Sequence, residues 1–108
     1  MSIITTARLR YIARRALNHF GTPRQLDQIA EEGAELGLAA LKLKRALAKE
    51  RNTPSDTIDE ATRLEQLAGE AADCLLVIEQ IRIICGDRAV DDALHEKAER
   101  LAKIVNVL

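Results

Sequence analysis

A short acidic pattern occurs twice in this chain. Leu26–Leu36 reads LDQIAEEGAEL, and Leu64–Cys74, 38 positions later, reads LEQLAGEAADC. Leu, Gln, Ala, Glu and Ala recur at matching places, and Asp27/Glu65, Ile29/Leu67 and Glu35/Asp73 exchange conservatively. The two windows supply Glu32-x-x-Glu35 and Glu70-x-x-Asp73. Residues three apart lie on one face of a helix, about a turn apart. Two helices packed on those faces aim four carboxylates at one point. Unpaired carboxylates at close range repel strongly, so the arrangement asks for a cation. Oxygen ligands without Cys or His suit Mg²⁺ or Mn²⁺ rather than zinc.

Helices must carry these residues, and the composition favours them. Ala, Leu, Glu, Lys and Arg are abundant, against two prolines and five glycines. A first helix is expected from about Thr6 to His19, stopped near Gly21. Thr22-Pro23-Arg24-Gln25 reads as a capping box that starts a second helix, with Thr22 as N-cap, running to about Lys49. Its apolar stripe is Leu26, Ile29/Ala30, Gly33, Leu36/Gly37, Ala40, Leu43 and Leu47. The small residues Gly33, Gly37 and Ala40 should admit a close neighbour.

Arg51–Thr57 (RNTPSDT) is turn-forming. Thr57 with Glu60 would cap a third helix that ends at Cys85 before Gly86. Beyond Asp73 that helix reads CLLVIEQIRIIC, apolar on nearly every side, as a central helix does. A fourth is expected from Asp87, a potential N-cap, to about Val105. Its core stripe would be Val90, Ala93, Leu94, Ala98, Leu101 and Ile104. The expected fold is an all-α four-helix bundle, one domain over residues 1–108.

Composition narrows the partners. The net charge of -1 exerts no global pull on nucleic acid or anionic membrane. Trp is absent, and Tyr11 and Phe20 are the only aromatics, too few for base-stacking platforms. Arg8, Arg10, Arg14, Arg15 and Arg24 precede the first acidic residue, Asp27. They form either a solvated face or a positive lip for an anion. Cys74 and Cys85 would lie about 16 Å apart along one helix, beyond disulfide reach, as buried thiols in a reducing compartment. The longest apolar stretch, Cys74–Ile78, is too short to span a bilayer, and no secretory segment opens the chain. A cytoplasmic location is expected.

On a helical wheel Glu32 and Glu35 fall beside the apolar stripe. Glu70 and Asp73 take the same angles relative to Leu64, on a side continued by Val77 and Ile84. Asp73 is therefore expected on a covered face, where a carboxylate needs a partner.

AEEGAEL followed by GEAADCLLVI resembles the MazG-like superfamily of all-α nucleoside triphosphate pyrophosphohydrolases, over roughly residues 20–104. The shared signature is Glu-x-x-Glu on one helix and Glu-x-x-Asp on the next. The resemblance implies Mg²⁺ ligation by Glu32, Glu35, Glu70 and Asp73. It also implies hydrolysis of an NTP or dNTP to the monophosphate and pyrophosphate. Family members carry a Lys and an Arg, three apart, on the fourth helix; HEKAERL supplies Lys97 and Arg100 as phosphate contacts. Where members often have Asn seven residues after the Asp, this chain has Gln80, and His95 stands where many have Asn two before the Lys. The segment between the two acidic pairs is longer than usual.

Catalytic work falls to Glu32 and Glu35, with Glu35 as ligand and base for the attacking water, and Glu31 could orient a ligand or water. Gln28, one turn before Glu32, and Gln80 are expected substrate contacts; Gln66 is the repeat partner of Gln28. The family resemblance implies a homodimer or a dimer of dimers with sites near the subunit interface. Two rivals remain: a phosphoribosyl-ATP pyrophosphohydrolase, whose second motif GEAAD resembles, and a non-catalytic helical interaction or regulatory module.

Overall fold

The computed structural model describes residues 3–48 and 60–108. Among the described residues four helices follow one another: α1 (Thr6–Phe20), α2 (Thr22–Leu47), α3 (Glu60–Cys85) and α4 (Asp87–Ile104). No strand occurs among the described residues. The expected loop Arg51–Thr57 and the Thr57 cap lie outside the described residues. No helix among those described is long and apolar enough to cross a membrane.

Thr5 caps α1, its hydroxyl accepting the Arg8 amide at 3.1 Å. The α1–α2 joint differs from the expected capping box. Gly21, at φ 88, both closes α1 through its amide to the Leu17 carbonyl (2.9 Å) and accepts the Gln25 amide (3.1 Å). The turn is one residue long, so the cap falls on a residue without a side chain, and Thr22 is already helical. Gly86, at φ 95, does the same between α3 and α4. Asp87 is consequently the first residue of α4 rather than its cap, and its carboxylate is free to pair elsewhere. Positive φ at both joints explains the glycines, since a Cβ is strained there.

Helix α3 is central: α1 and α2 pack on it, and α4 meets its C-terminal end. Helices α2 and α3 run antiparallel. The Cys74 thiol reaches the Glu32 carbonyl (3.5 Å), whereas Ala39 and Lys42, further along α2, share a cleft with Gln66, earlier on α3.

The interior is unusual in kind. Among the described residues its buried apolar side chains are Ala13, Leu17, Ala39, Leu43, Cys74 and Val77. Almost as many polar ones join them: Gln25, Glu32, Arg63, Glu79 and Gln80. The seam between α2 and α3 is thus a lined polar site as much as a hydrophobic core.

Two stripe expectations are corrected. The buried line of α2 runs through Gln25, Glu32, Ala39 and Leu43, whereas Leu26, Gly33, Gly37, Ala40 and Leu47 are exposed. A Cβ at Gly33 or Gly37 would meet nothing within 4 Å. On α4 no residue is buried, so Ala93, Leu94, Ala98, Leu101 and Ile104 face outward. Cys85 is exposed too; of the two thiols only Cys74 is buried.

Salt bridges, rather than apolar burial, hold α4 to the body. Arg10 on α1 donates to Glu79 on α3 (2.6 Å) and forks onto both carboxylate oxygens of Asp87 on α4 (2.9 and 2.6 Å). Arg82 adds Asp91 at 2.8 Å and Asp87 at 3.3 Å. Arg10 is therefore neither solvated decoration nor a lip for ligands. It is the clamp of three helices, and two-pronged guanidinium–carboxylate pairing fixes its orientation.

Candidate metal centre

The repeat and the antiparallel packing together place the acidic residues. Glu32 lies across from Asp73, and Glu35 across from Glu70, so the repeat becomes a pseudo-twofold about the cluster. Carboxylate oxygens of Glu32, Glu70 and Asp73 lie within 4.8 Å of one another. That spread is near the roughly 4.2 Å between opposite ligands in an octahedron of 2.1 Å bonds. Glu35 stands outside this trio and is exposed, yet its carboxyl feels Glu70 directly.

Local contacts set the orientation of each side chain. The Gln28 amide donates to Glu32 Oε1 at 2.7 Å. Glu32 Oε2 has no hydrogen-bond partner among the described residues and is buried, and the same holds for Glu70 Oε2. Glu32 as a whole is only 9 % exposed. A buried, unsatisfied carboxylate oxygen is costly, and two of them at one point make a donor set that a cation could satisfy. The donor set is all oxygen, which fits Mg²⁺ or Mn²⁺.

Electrostatics agree. Burial, then the Asp73 charge, push the Glu32 carboxyl above its ordinary value, against the opposing hydrogen bond from Gln28. Burial, then Glu70, push Glu35 up, with Glu31 and Asp73 adding to it. The Cys74 thiol is raised by burial and by the carboxylates around it, so it is an inert structural group rather than a nucleophile.

One expectation is corrected here: Asp73 is exposed, not covered. It sits at the rim of the cluster, with Glu32 at the floor and Glu70 between. The face that covers Val77 turns to solvent at Asp73 and again at Ile84.

The other expected site residues are spread more widely. Gln28 spends its amide on Glu32. Gln80 is buried, with its carbonyl oxygen unpartnered among the described residues. Lys97 lines a separate apolar cleft of about 380 Å³ with Cys85, Val90 and Leu94. Arg100 is exposed and pairs with Glu96 at 3.3 Å. Glu31, His95 and His19 are exposed; His19 stacks edge-on against Phe20 at 4.6 Å.

Beside the carboxylates lies a cleft of about 260 Å³ bounded by Glu35, Leu38, Ala39, Lys42, Gln66 and Glu70. Lys42 was not among the residues expected to matter. Its signal was available, since it stands two turns after Glu35 and so shares its face.

Comparison with protein-family models, with curated proteins and with solved structures gave no match. Fold and site alone define the class: an all-α helical protein with a carboxylate cluster between two antiparallel helices.

Proposed function

We propose that this protein is a Mg²⁺-dependent nucleoside triphosphate pyrophosphohydrolase of the MazG-like kind, with Mn²⁺ an alternative ion. It cleaves the anhydride between the α and β phosphates, giving (d)NMP and pyrophosphate. The convergence of Glu32, Glu70 and Asp73 with two orphaned buried oxygens supports this function above any other observation. A scaffold gains nothing from carboxylates gathered at the cost of their solvation.

Glu32, Glu70 and Asp73 would hold the ion, with Glu35 at its edge. When bound, the metal neutralises phosphate charge and polarises the scissile centre. Glu35 accepts a proton from the water that attacks the α phosphorus. Gln28 keeps Glu32 oriented. The buried Gln80 carbonyl offers one acceptor to a donor on the nucleoside. Phosphoryl transfer needs little beyond such positioning and charge stabilisation.

Pyrophosphate release measured across the canonical and several modified NTPs with Mg²⁺ should show turnover of at least one. Asp73→Asn should lower it about 100-fold or more, the loss that damaged metal sites show. No release from any triphosphate would refute the hydrolase assignment.

The working unit is proposed to be a homodimer or homotetramer. The radius of gyration is 17.1 Å, against about 13 Å for a compact domain of this length. Leu75, Leu76 and Ile78 on α3 are exposed, as are Leu94 and Leu101 on α4. Apolar surface of that extent marks an interaction face. Light scattering behind size exclusion should give a mass of two or four chains; a clean monomer at micromolar concentration would overturn it.

A further inference from the structure

The pseudo-twofold that superposes Glu32 on Glu70 and Glu35 on Asp73 also relates the flanks of the cluster. It carries Gln25 to Arg63, Gln28 to Gln66 and Gln80 to Lys42, each 38 positions apart or the reverse. One flank is therefore made of three glutamines, two of them buried. The other holds two cations and one glutamine. Nothing in the repeat requires this difference, and it gives the site a polarity.

The cationic flank is where the cleft beside the cluster opens. Glu35 and Glu70 stand at one end of it, and Lys42 and Gln66 line it as well. Lys42 is half-buried, and no described carboxylate pairs with it. Arg63 donates to the Gln66 carbonyl oxygen at 2.9 Å. The group Gln66 can offer the cleft is therefore its NH₂. Two hydrogen-bond donors, one of them charged, thus flank the acidic end. Glu35 and Lys42 are seven residues apart, about 10.5 Å of helix axis. A ligand bridging them is anionic and elongated.

Resting on the metal assignment above, we propose that Lys42 and Gln66 form the subsite for the terminal phosphates of the substrate. The nucleoside is thereby directed to the glutamine flank. Lys42, not Lys97 or Arg100, supplies the phosphate-binding cation from within the same chain. The leaving pyrophosphate departs through this cleft.

Inorganic tripolyphosphate is the probe. Calorimetric titration into the full chain with saturating Mg²⁺ should show binding that Lys42→Ala weakens about 10-fold or more, the scale of one charge-assisted hydrogen bond. Lys42→Arg should retain most of it. The rise in melting temperature produced by Mg²⁺ alone should be the same in Lys42→Ala as in the wild type, which shows the variant folded with its carboxylates intact. With substrate, Lys42→Ala should raise KM more than it lowers kcat. Unchanged tripolyphosphate affinity in Lys42→Ala overturns the subsite while leaving the metal centre standing, as does Mg²⁺ uptake without any tripolyphosphate binding. Absence of Mg²⁺ uptake by the wild type removes the metal assignment itself, and the subsite with it.

Discussion

Glu70→Gln is expected to abolish the stabilisation of this protein by Mg²⁺ and, at the same time, to make the metal-free chain no less stable. The two effects come from one cause. Glu70 sits between Glu35 and the Glu32–Asp73 pair, and its buried Oε2 has no partner among the described residues. Without a cation, its charge only repels its neighbours. Gln, of the same shape, relieves that repulsion but is a far weaker ligand. Mg²⁺ at ten times its Kd should stabilise the wild type by about 1.4 kcal/mol, roughly 5 °C in the Tm of a domain of this size. In Glu70→Gln the increment should vanish, and pyrophosphate release should fall about 100-fold or more. Differential scanning calorimetry with and without Mg²⁺ checks the first, and single-turnover hydrolysis the second. A variant that loses stability in the metal-free state and keeps its response to Mg²⁺ would show Glu70 to be a structural residue.

Arg10→Met should be the most destabilising single change outside the cluster. Arg10 is the common partner of Glu79 and Asp87. The Glu79 side chain is only 10 % exposed, so removing its cation strands a charge where water cannot reach it well. Breaking one side of such a pair costs much more than the pair itself contributes. The Tm of Arg10→Met should fall by about 5 °C or more. The double variant Arg10→Met/Glu79→Leu should recover most of the loss, because two apolar side chains can replace a buried pair at little cost. A double variant no more stable than the single would mean that Arg10 acts through Asp87 alone.

The same network has a defined response to acid. Arg10 and then Arg82 hold the Asp87 carboxyl down to about 2, from 3.8 in a free chain. A depressed carboxyl contributes stability that is complete above its unfolded value and is lost as pH falls through its native one. The anchoring of α4 is thus intact above pH of about 4 and fades towards about 2. Asp87→Asn should flatten that part of the Tm–pH curve.

Little apolar burial backs up this anchor. Leu94 and Leu101 on α4 are both 58 % exposed, so α4 is attached by charge at its first turns and is otherwise open to a partner. In the proposed homo-oligomer, another copy of the chain would cover that face. The apolar stripe read from the sequence accordingly lies at the surface of the single chain.

The sequence by itself determined a good deal. Four helices end at Phe20, Leu47, Cys85 and Ile104, close to where glycine, turn formers and periodicity placed the stops. The duplicated acidic window singled out Glu32, Glu70 and Asp73 as neighbours, because it sets equivalent acidic turns on two helices that can face each other, and the observed register brings those turns together. Tertiary structure alone decided which face of α2 is inside. The apolar pattern put Gly33, Gly37 and Ala40 at the contact, yet Glu32 and Gln25 occupy it. Hydrophobic periodicity locates a buried face only when apolar side chains fill it, and here a carboxylate and amides, Glu32, Gln25 and Gln80, stand in their place. Long-range pairs were equally hidden. Nothing local to Arg10 announces Glu79 or Asp87, some seventy residues away. The cleft with Lys42 exists only because α2 and α3 lie antiparallel in one particular register.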